Sequence, residues 1–320
     1  MVSAAGSRAQ AASTIRVARI QGVNFLPTHV MQRRKLVEKH AARLGIATGR
    51  AEWFDFAGGG NATDAMLAGD IDVVNAGPGN MLLLWDRTRG GVKGIVSNSA
   101  LPAALVSRED RLRTITDYGP QDRIAVPTVL VSTQAILLQM AAEQAYGPAQ
   151  YRRLDANTVQ MGHSDAYIAL RNPIHEVRSH FGSPPFISRE LHDIPGAHVV
   201  TSSSDILGSP LCTAVMFGME KYAVREPGLV QALIDASAEA VASVRDDPAA
   251  AARDYLEVSR DRMSETELTE LLRQPDMVFD VKPLGTLRFA EFLHRIGTLR
   301  TKPERWSDYF VAQTASLGGS

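Results

Sequence analysis

The chain has 320 residues, about twice the ~150 residues of a common domain, so two lobes are expected. Hydrophobic residues make up 45% and charged residues 22%, ordinary proportions for a chain that buries a sizeable core. The 34 Lys and Arg against 35 Asp and Glu leave a net charge of -1, which argues against nucleic-acid binding or membrane docking through a large positive excess. A single cysteine excludes internal disulfides and Cys-based zinc cages. No apolar run approaches the ~20 residues that span a bilayer.

Residues 1–13, MVSAAGSRAQAAS, are small, polar and without periodicity. Ala9-Gln10-Ala11 has the small-x-small character of a signal-peptidase site, so this stretch reads as the disordered tail of an export signal. Ile15 to Ile20 reads as a first strand, followed by a loop over 21–27 and a helix from Thr28 to Leu44 that stops at Gly45. Ala51 to Phe56 is a second strand. Gly58-Gly59-Gly60 is a turn, with Asn61 as the cap of a short helix through Ala68. Ile71 to Ala76 is strand again, broken by Gly77-Pro78-Gly79 before helix resumes at Asn80. Val92 to Val96 and Leu101 to Val106 complete this set.

A similar order then restarts. Arg123 to Val126 is a strand, and Ser132 and Thr133 cap a helix from Gln134 to Tyr146. His163-Ser164-Asp165-Ala166 opens another helix, Ile174 to Ser179 is a strand, and Gly182-Ser183-Pro184-Pro185 breaks it. Thr63-Asp64-Ala65-Met66 and Ser164-Asp165-Ala166-Tyr167 each open a helix that leads to a strand, a Gly/Pro loop and a further helix. The alternation indicates an α/β fold of two similar lobes with mainly parallel sheets. In such sheets the carboxyl ends of the strands and the following helix starts face a ligand crevice. The last third is helical, with an apolar stripe over Gly228 to Arg245, a cap at Asp247-Pro248, and a capping box at Ser264 to Glu267. Thr286 to Ile296 and Glu304 to Phe310 read as two more helices.

Several chemistries are excluded by spacing. His175 and His180 are five apart, not the four of a zinc-protease helix, and no Gly-x-Ser-x-Gly elbow or phosphate-binding glycine loop is present. Cys212 sits in an apolar run, Pro210 to Phe217, and reads as a buried small hydrophobe rather than a nucleophile. The weight falls on binding, with no metal and no cofactor expected.

Asn24-Phe25-Leu26-Pro27, Phe56 to Thr63, Ala65 to Val73, Arg123 to Pro127 leading into Ser132-Thr133-Gln134, Ser183-Pro184-Pro185-Phe186 and Phe289 to Leu293 together resemble the solute-binding proteins of ABC importers. The resemblance is to the nitrate/sulfonate/taurine group and covers the chain from Thr14 to Phe310. It implies a type II periplasmic binding fold, in which two lobes joined by two crossing strands close on a ligand. Lobe one would comprise 14–106 and 211–320, and lobe two 107–210, with Leu101 to Ser107 and Leu211 to Phe217 as hinge crossings. It also implies a periplasmic monomer that delivers its solute to a membrane permease and ATPase.

A ligand between such lobes meets helix N-termini, each contributing ~0.3–1 kcal/mol toward a negative charge. Micromolar binding needs ~8 kcal/mol, so side-chain hydrogen bonds and apolar burial must add to them. The candidate loops on lobe one carry Asn24, Phe25 and Leu26, then Gly77, Pro78 and Asn80. Lobe two supplies Val131, Ser132 and Thr133, then His180, Phe181 and Ser183. Asn24 and Asn80 suit a polar group, Ser132 and Thr133 an oxyanion, and Phe25 and Phe181 an apolar ligand body. Asn80, Ser132 and Thr133 equally fit helix caps, and the two phenylalanines fit a core. His180 reads either as a donor to an anion or as a structural histidine, and Arg19 and Arg178 as counter-ions or solvated charges. The expected ligand is a small sulfonate or carboxylate. The competing readings are a neutral pyrimidine-like solute, an enzyme on the same fold working on pyrimidine precursors or sulfinates, and an effector domain of a regulator.

Overall fold

The computed structural model describes residues 13–56 and 58–320. The expected export-signal remnant lies outside them but for Ser13. The first strands are β1 (Thr14–Ile20), β2 (Arg50–Phe56), β3 (Val73–Ala76), β4 (Val92–Ser99) and β5 (Ala104–Ser107). They are followed by β6 (Arg123–Val126), β7 (Thr158–Gln160), β8 (Val177–Gly182), β9 (His198–Ser202) and β10 (Ala214–Met219). These strands form two five-stranded sheets, ordered β2-β1-β3-β10-β4 and β7-β6-β8-β5-β9.

The two orders follow one plan. In the first sheet β1 pairs in parallel with β2 and β3, while β10 runs antiparallel between β3 and β4. In the second, β6 pairs in parallel with β7 and β8, while β5 runs antiparallel between β8 and β9. Each sheet is therefore mainly parallel, as expected, with four strands running one way and a single strand, β10 or β5, running against them. Parallel neighbours within a sheet require a crossover connection, usually a helix. β5 and β10 arrive directly from the other sheet, and each runs against its neighbours.

This also moves the crossing points. β5 belongs wholly to the second sheet, so the chain crosses over 100–103, ahead of the expected boundary after residue 106. The return runs over 208–213. The crossings lie side by side: the Thr213 N–H donates to the Ser99 carbonyl at 2.8 Å and the Leu101 N–H to Thr213 Oγ1 at 3.0 Å.

Period-two alternation sorts the strand side chains. Ile15 and Val17 share a core with Val30, Leu233 and Tyr255 of the helices Leu26–Arg33, Pro227–Asp246 and Pro248–Ser259. Ala18 and Val74 face the opposite way, into a core that continues through Phe289 and Phe292 to Leu105, Ile124 and Phe181 of the second sheet. Truncating a buried phenylalanine such as Phe181 costs ~3–5 kcal/mol.

Three local differences matter. The helix expected from Thr28 to Leu44 is two, Leu26–Arg33 and Leu36–Arg43, separated at Lys35, which has φ 50°. The break re-aims Leu36, Val37 and Ala41 into the core. Asn61 lies inside the helix Gly59–Ala68, whose cap is Gly58. The strand expected to end at Ser179 runs on to Gly182, which places His180 inside a sheet. The caps expected at Ser132, Asp247 and Ser264 each accept a backbone N–H as read, while the segment 304–310 forms only a short 3₁₀ turn, Trp306–Tyr309. Among the described residues no helix is long and apolar enough to cross a membrane.

Candidate functional site

A cleft of about 500 Å³ opens between the two sheets. It is reached from the carboxyl ends of the parallel strands: Gln21 follows β1, Gly58 lies beyond β2, Gly77 follows β3, Pro127 follows β6, and Ser183 follows β8. That is where an open α/β sheet places its ligand.

Five helices begin on its wall: Gly59–Ala68 and Pro78–Arg87 from the first half, and Thr133–Tyr146, His163–Arg171 and Phe186–Asp193 from the second. The first N–H groups of a helix have no partner within it. At three of these helices the cap is glycine (Gly58, Gly77 and Gly162), with no side chain to take those N–H groups. Ser132 Oγ accepts the Ala135 N–H at 3.3 Å, which leaves its hydroxyl proton to donate. The glycines also allow close approach. A Cβ on Gly77 would lie 2.8 Å from Thr133 Oγ1 across the cleft, and one on Gly59 would lie 3.0 Å from the Ala76 Cβ.

Of the residues expected at the site, Asn24, Phe25, Gly77, Asn80, Ser132, Thr133 and Ser183 line this cleft. Asn24 is held from behind, its carbonyl accepting from Ser99 Oγ at 3.0 Å and its Oδ1 from Thr213 Oγ1 at 3.3 Å. The other five do not line it. Leu26 and Phe181 point into the core, and Pro78 is buried in the first turn of its helix. The Val131 carbonyl lies 3.1 Å from where a Cβ on Gly79 would stand. His180 is fully buried behind His163.

Arg19 and Arg178 are also spent elsewhere. Arg19 forms a bidentate pair with Asp55, both bonds 2.7 Å, and Arg178 pairs with Glu109 at 2.6 Å. No lysine or arginine lines the cleft among the described residues, and Asp165 is its one charged group. Sequence reasoning missed Thr128, Gln134, Phe186 and Thr213, and assigned no ligand role to the Gly162-His163-Ser164-Asp165 helix start. A glycine ahead of a polar helix start, as at Gly77 and Asn80, was the available signal.

Behind the second-half wall, His163 Nε2 lies 3.0 Å from Ser183 Oγ, His163 Nδ1 lies 2.8 Å from His180 Nε2, and His180 Nδ1 lies 2.6 Å from Glu190 Oε1. Burial pushes the Glu190 carboxyl up to about 8. It pushes His180 down to about 3, and His163 likewise to about 3, where His180 adds to the effect. The second Glu190 oxygen has no hydrogen-bond partner among the described residues. Among those residues no group of three or more His, Cys, Asp or Glu side chains is arranged to hold a metal ion.

Cys212 is fully buried beside Ser97 Oγ, 3.0 Å away, and burial pushes its thiol up to about 12. A thiol so held is not ionised near neutrality and is a poor nucleophile.

Neither a protein-family model nor a curated protein sequence matches the chain. Solved structures do match in fold. The periplasmic aliphatic sulphonate-binding protein SsuA of Escherichia coli aligns over 93% of this chain and 92% of its own, with TM-score 0.71 at 15% identity. The alkanesulfonate-binding protein SsuA of Xanthomonas axonopodis pv. citri, bound to MOPS, aligns over 94% and 97%, with TM-score 0.70 at 17% identity. A ligand-binding component of an ABC-type import system from Staphylococcus aureus, with zinc bound, aligns over 95% and 98%, with TM-score 0.67 at 12% identity. The chain therefore has the two-lobed fold of periplasmic binding proteins, over nearly its whole length.

Proposed function

We propose that this protein is the solute-binding component of an ABC importer and captures a small organic anion, a sulfonate or carboxylate, between its two lobes. The observation that carries the reading is the convergence of five helix starts, three of them glycine-capped, on one cleft. Unspent N–H groups and the positive ends of helix dipoles favour negative charge. At about 500 Å³ the cleft suits an organic molecule rather than a bare inorganic ion. With no cationic side chain on its wall among the described residues, the charge is balanced by neutral donors: backbone N–H groups, Asn24, Asn80, Ser132, Thr133 and Ser183. Phe25 and Phe186 supply apolar surface for the body of the ligand.

The fold likeness supports the transport role, with export to the periplasm and a permease and an ATPase as partners, and the reading takes the protein to act as a monomer. Closure would be a population shift, driven by contacts that the ligand makes with both lobes at once. The Cys212 environment supports binding over catalysis, since the enzyme readings lean on a reactive cysteine.

A thermal-shift panel of alkanesulfonates, small carboxylates and neutral pyrimidines, followed by calorimetry on the hits, tests the proposal. A ligand at 100 times its Kd adds ~2.7 kcal/mol of apparent stability, a shift that is easily read. Tight binding of neutral pyrimidines with none of the anions would overturn the anion reading. Turnover of a stabilising compound, abolished by Cys212→Ala, would overturn the transport reading.

A further inference from the structure

Ser183, His163, His180 and Glu190 form one unbroken hydrogen-bonded line from the cleft wall into the interior of the second half. Both nitrogens of each imidazole are engaged. A neutral imidazole carries its proton on only one of them, so with both rings neutral the line has two polarities. In the first, the protonated Glu190 carboxyl donates to His180 Nδ1, His180 Nε2–H donates to His163 Nδ1, and His163 Nε2–H donates to Ser183 Oγ. The hydroxyl proton of Ser183 is then free to point into the cleft. In the second, Glu190 is ionised and every bond reverses. Ser183 then spends its proton on His163 Nε2 and offers the ligand only a lone pair.

Burial selects the first polarity. Glu190 and His180 are fully buried, and one oxygen of Glu190 has no partner among the described residues. An ionised carboxylate there would have a single donor for its two oxygens, and an imidazolium–carboxylate pair would bury two charges where a neutral pair keeps the same hydrogen bond. The neutral carboxyl and neutral rings agree with the upward shift of Glu190 and the downward shifts of both histidines.

We propose that Glu190 and His180 are positioning residues of the ligand site: the neutral line Glu190–His180–His163 turns the Ser183 hydroxyl proton into the cleft, so that the cleft selects a pure hydrogen-bond acceptor at that point. A sulfonate or carboxylate oxygen fits this requirement, and a ligand hydroxyl or N–H placed there does not. The ligand half of this inference rests on the anion reading of the cleft; the polarity of the line does not.

Ionisation of Glu190 would reverse the line, remove a donor and add a buried negative charge behind the ligand, so affinity falls on the alkaline side. The elements packed around Glu190 bring few other charges toward it. Helix His163–Arg171 carries Asp165, Tyr167 and Arg171, and β8 carries Arg178, which is paired with Glu109. The helix of Glu190 itself carries Arg189, His192 and Asp193. Tyr167 hydrogen-bonds Asp193. β5 contributes no charged side chain. Asp165 is the charged group that shares the cleft wall with Ser183 and His163.

Long-range ¹H–¹⁵N NMR of the full chain labelled at histidine reads the polarity directly, with no ligand required. At pH 7 both His163 and His180 are expected as Nε2–H tautomers, switching to Nδ1–H as the pH passes about 8. In Glu190→Gln, which cannot ionise, the switch is abolished. An imidazolium or an Nδ1–H tautomer at pH 7 would overturn the proposal, and Nε2–H tautomers that persist to pH 9.5 would support the neutral polarity and overturn only its alkaline reversal. For the ligand half, calorimetry uses propane-1-sulfonate, which does not titrate in this range. Its affinity is expected to fall about tenfold between pH 6.5 and pH 9 in the native chain and to stay constant in Glu190→Gln. Constant affinity in the native chain while the tautomers switch would overturn the coupling to the ligand. Failure of every anion to bind would overturn the anion reading and the acceptor selection with it, and the tautomers would still decide the polarity of the line.

Discussion

The two halves of the molecule share one strand order but furnish the cleft differently. The first half brings backbone: two glycine-capped helix starts, at Gly58 and Gly77, flanked by the amides of Asn24 and Asn80. None of its cleft residues titrates among those described. The second half brings hydroxyls on Thr128, Ser132, Thr133, Ser164 and Ser183, together with His163 and Asp165. Donors fixed by the backbone keep their direction at any pH, whereas the Ser183 donor depends on protons held several bonds away. The shared topology explains why helix starts arrive from both sides. The difference assigns constant attraction to one half and selection to the other.

The largest break in this comparison is steric. Gly77 approaches Thr133 so closely that a Cβ would sit 2.8 Å from its hydroxyl oxygen, although the backbone at Gly77 (φ -64°) accepts any residue. Gly77→Val therefore wedges the halves apart rather than straining the turn. Overpacking of this kind costs ~1–3 kcal/mol, about 5- to 150-fold in affinity. Calorimetry with propane-1-sulfonate measures the loss, and X-ray scattering with ligand present is expected to show a molecule that fails to close.

Next in size is the pH dependence of stability, which separates the halves because only the second carries the buried line. Folded Glu190 keeps a proton that the unfolded chain releases above about 4.5, so its contribution declines as pH rises toward about 8. Folded His163 and His180 refuse protons that the unfolded chain takes up below about 6.5, so theirs declines as pH falls. Beyond the one proton of each neutral ring, the folded line holds a single proton, on Glu190; unfolded, its groups together hold one such proton near pH ~6.5, where the contribution peaks. Each proton of difference is worth ~1.4 kcal/mol per pH unit. Thermal melts from pH 5 to 9 are expected to show both limbs, and Glu190→Gln to lose only the alkaline one.

Much of this architecture was legible in the sequence because it rests on local rules. Gly77-Pro78 and Ser132-Thr133 announce helix starts, the Ser264 capping box announces another, and the restart at Arg123 marks a second sheet. What was not legible depends on distant partners. β7 has three residues and no fully buried side chain, and β9 is only partly buried, so neither shows a clear pattern until β6 and β5 lie beside it. The apolar run of β5 fits either sheet, so a boundary expected after residue 106 falls one strand beyond the point where the chain enters the second sheet. At the site, Gly77 and Ser183 were readable as loop residues after strands. His180 was not, since its role depends on His163, seventeen positions away, and on Glu190 in a helix that the double proline concealed.

A pair of side-chain deletions sharpens the contrast at smaller scale. Asn80→Ala and Ser183→Ala each remove one hydrogen bond, worth ~0.5–1.5 kcal/mol, or roughly twofold to tenfold in affinity. Their pH profiles should differ. In Asn80→Ala the affinity for propane-1-sulfonate falls by the same factor at pH 6.5 and pH 9, because nothing on that wall titrates. In Ser183→Ala most of the alkaline decline disappears, because the donor that the decline removes is already gone. Equal profiles for the two variants would return Ser183 to the same class as Asn80.

The smallest effect concerns Asp165, an exposed carboxylate on the wall of a cleft assigned to anions. It stands in the first turn of helix His163–Arg171. A negative charge there favours the helix dipole, so the residue serves the fold while opposing the ligand. Asp165→Asn is expected to tighten propane-1-sulfonate roughly twofold at low salt, in the range of exposed charge interactions. The gain should shrink as salt shortens the screening distance to ~10 Å at 0.1 M and below that at higher strength. The same substitution should lower the melting temperature slightly, because the helix loses its favourable charge. Opposite signs in the two measurements identify Asp165 as a structural charge tolerated at the site. Weaker binding in Asp165→Asn would instead mean that the ligand carries a positive group toward this wall.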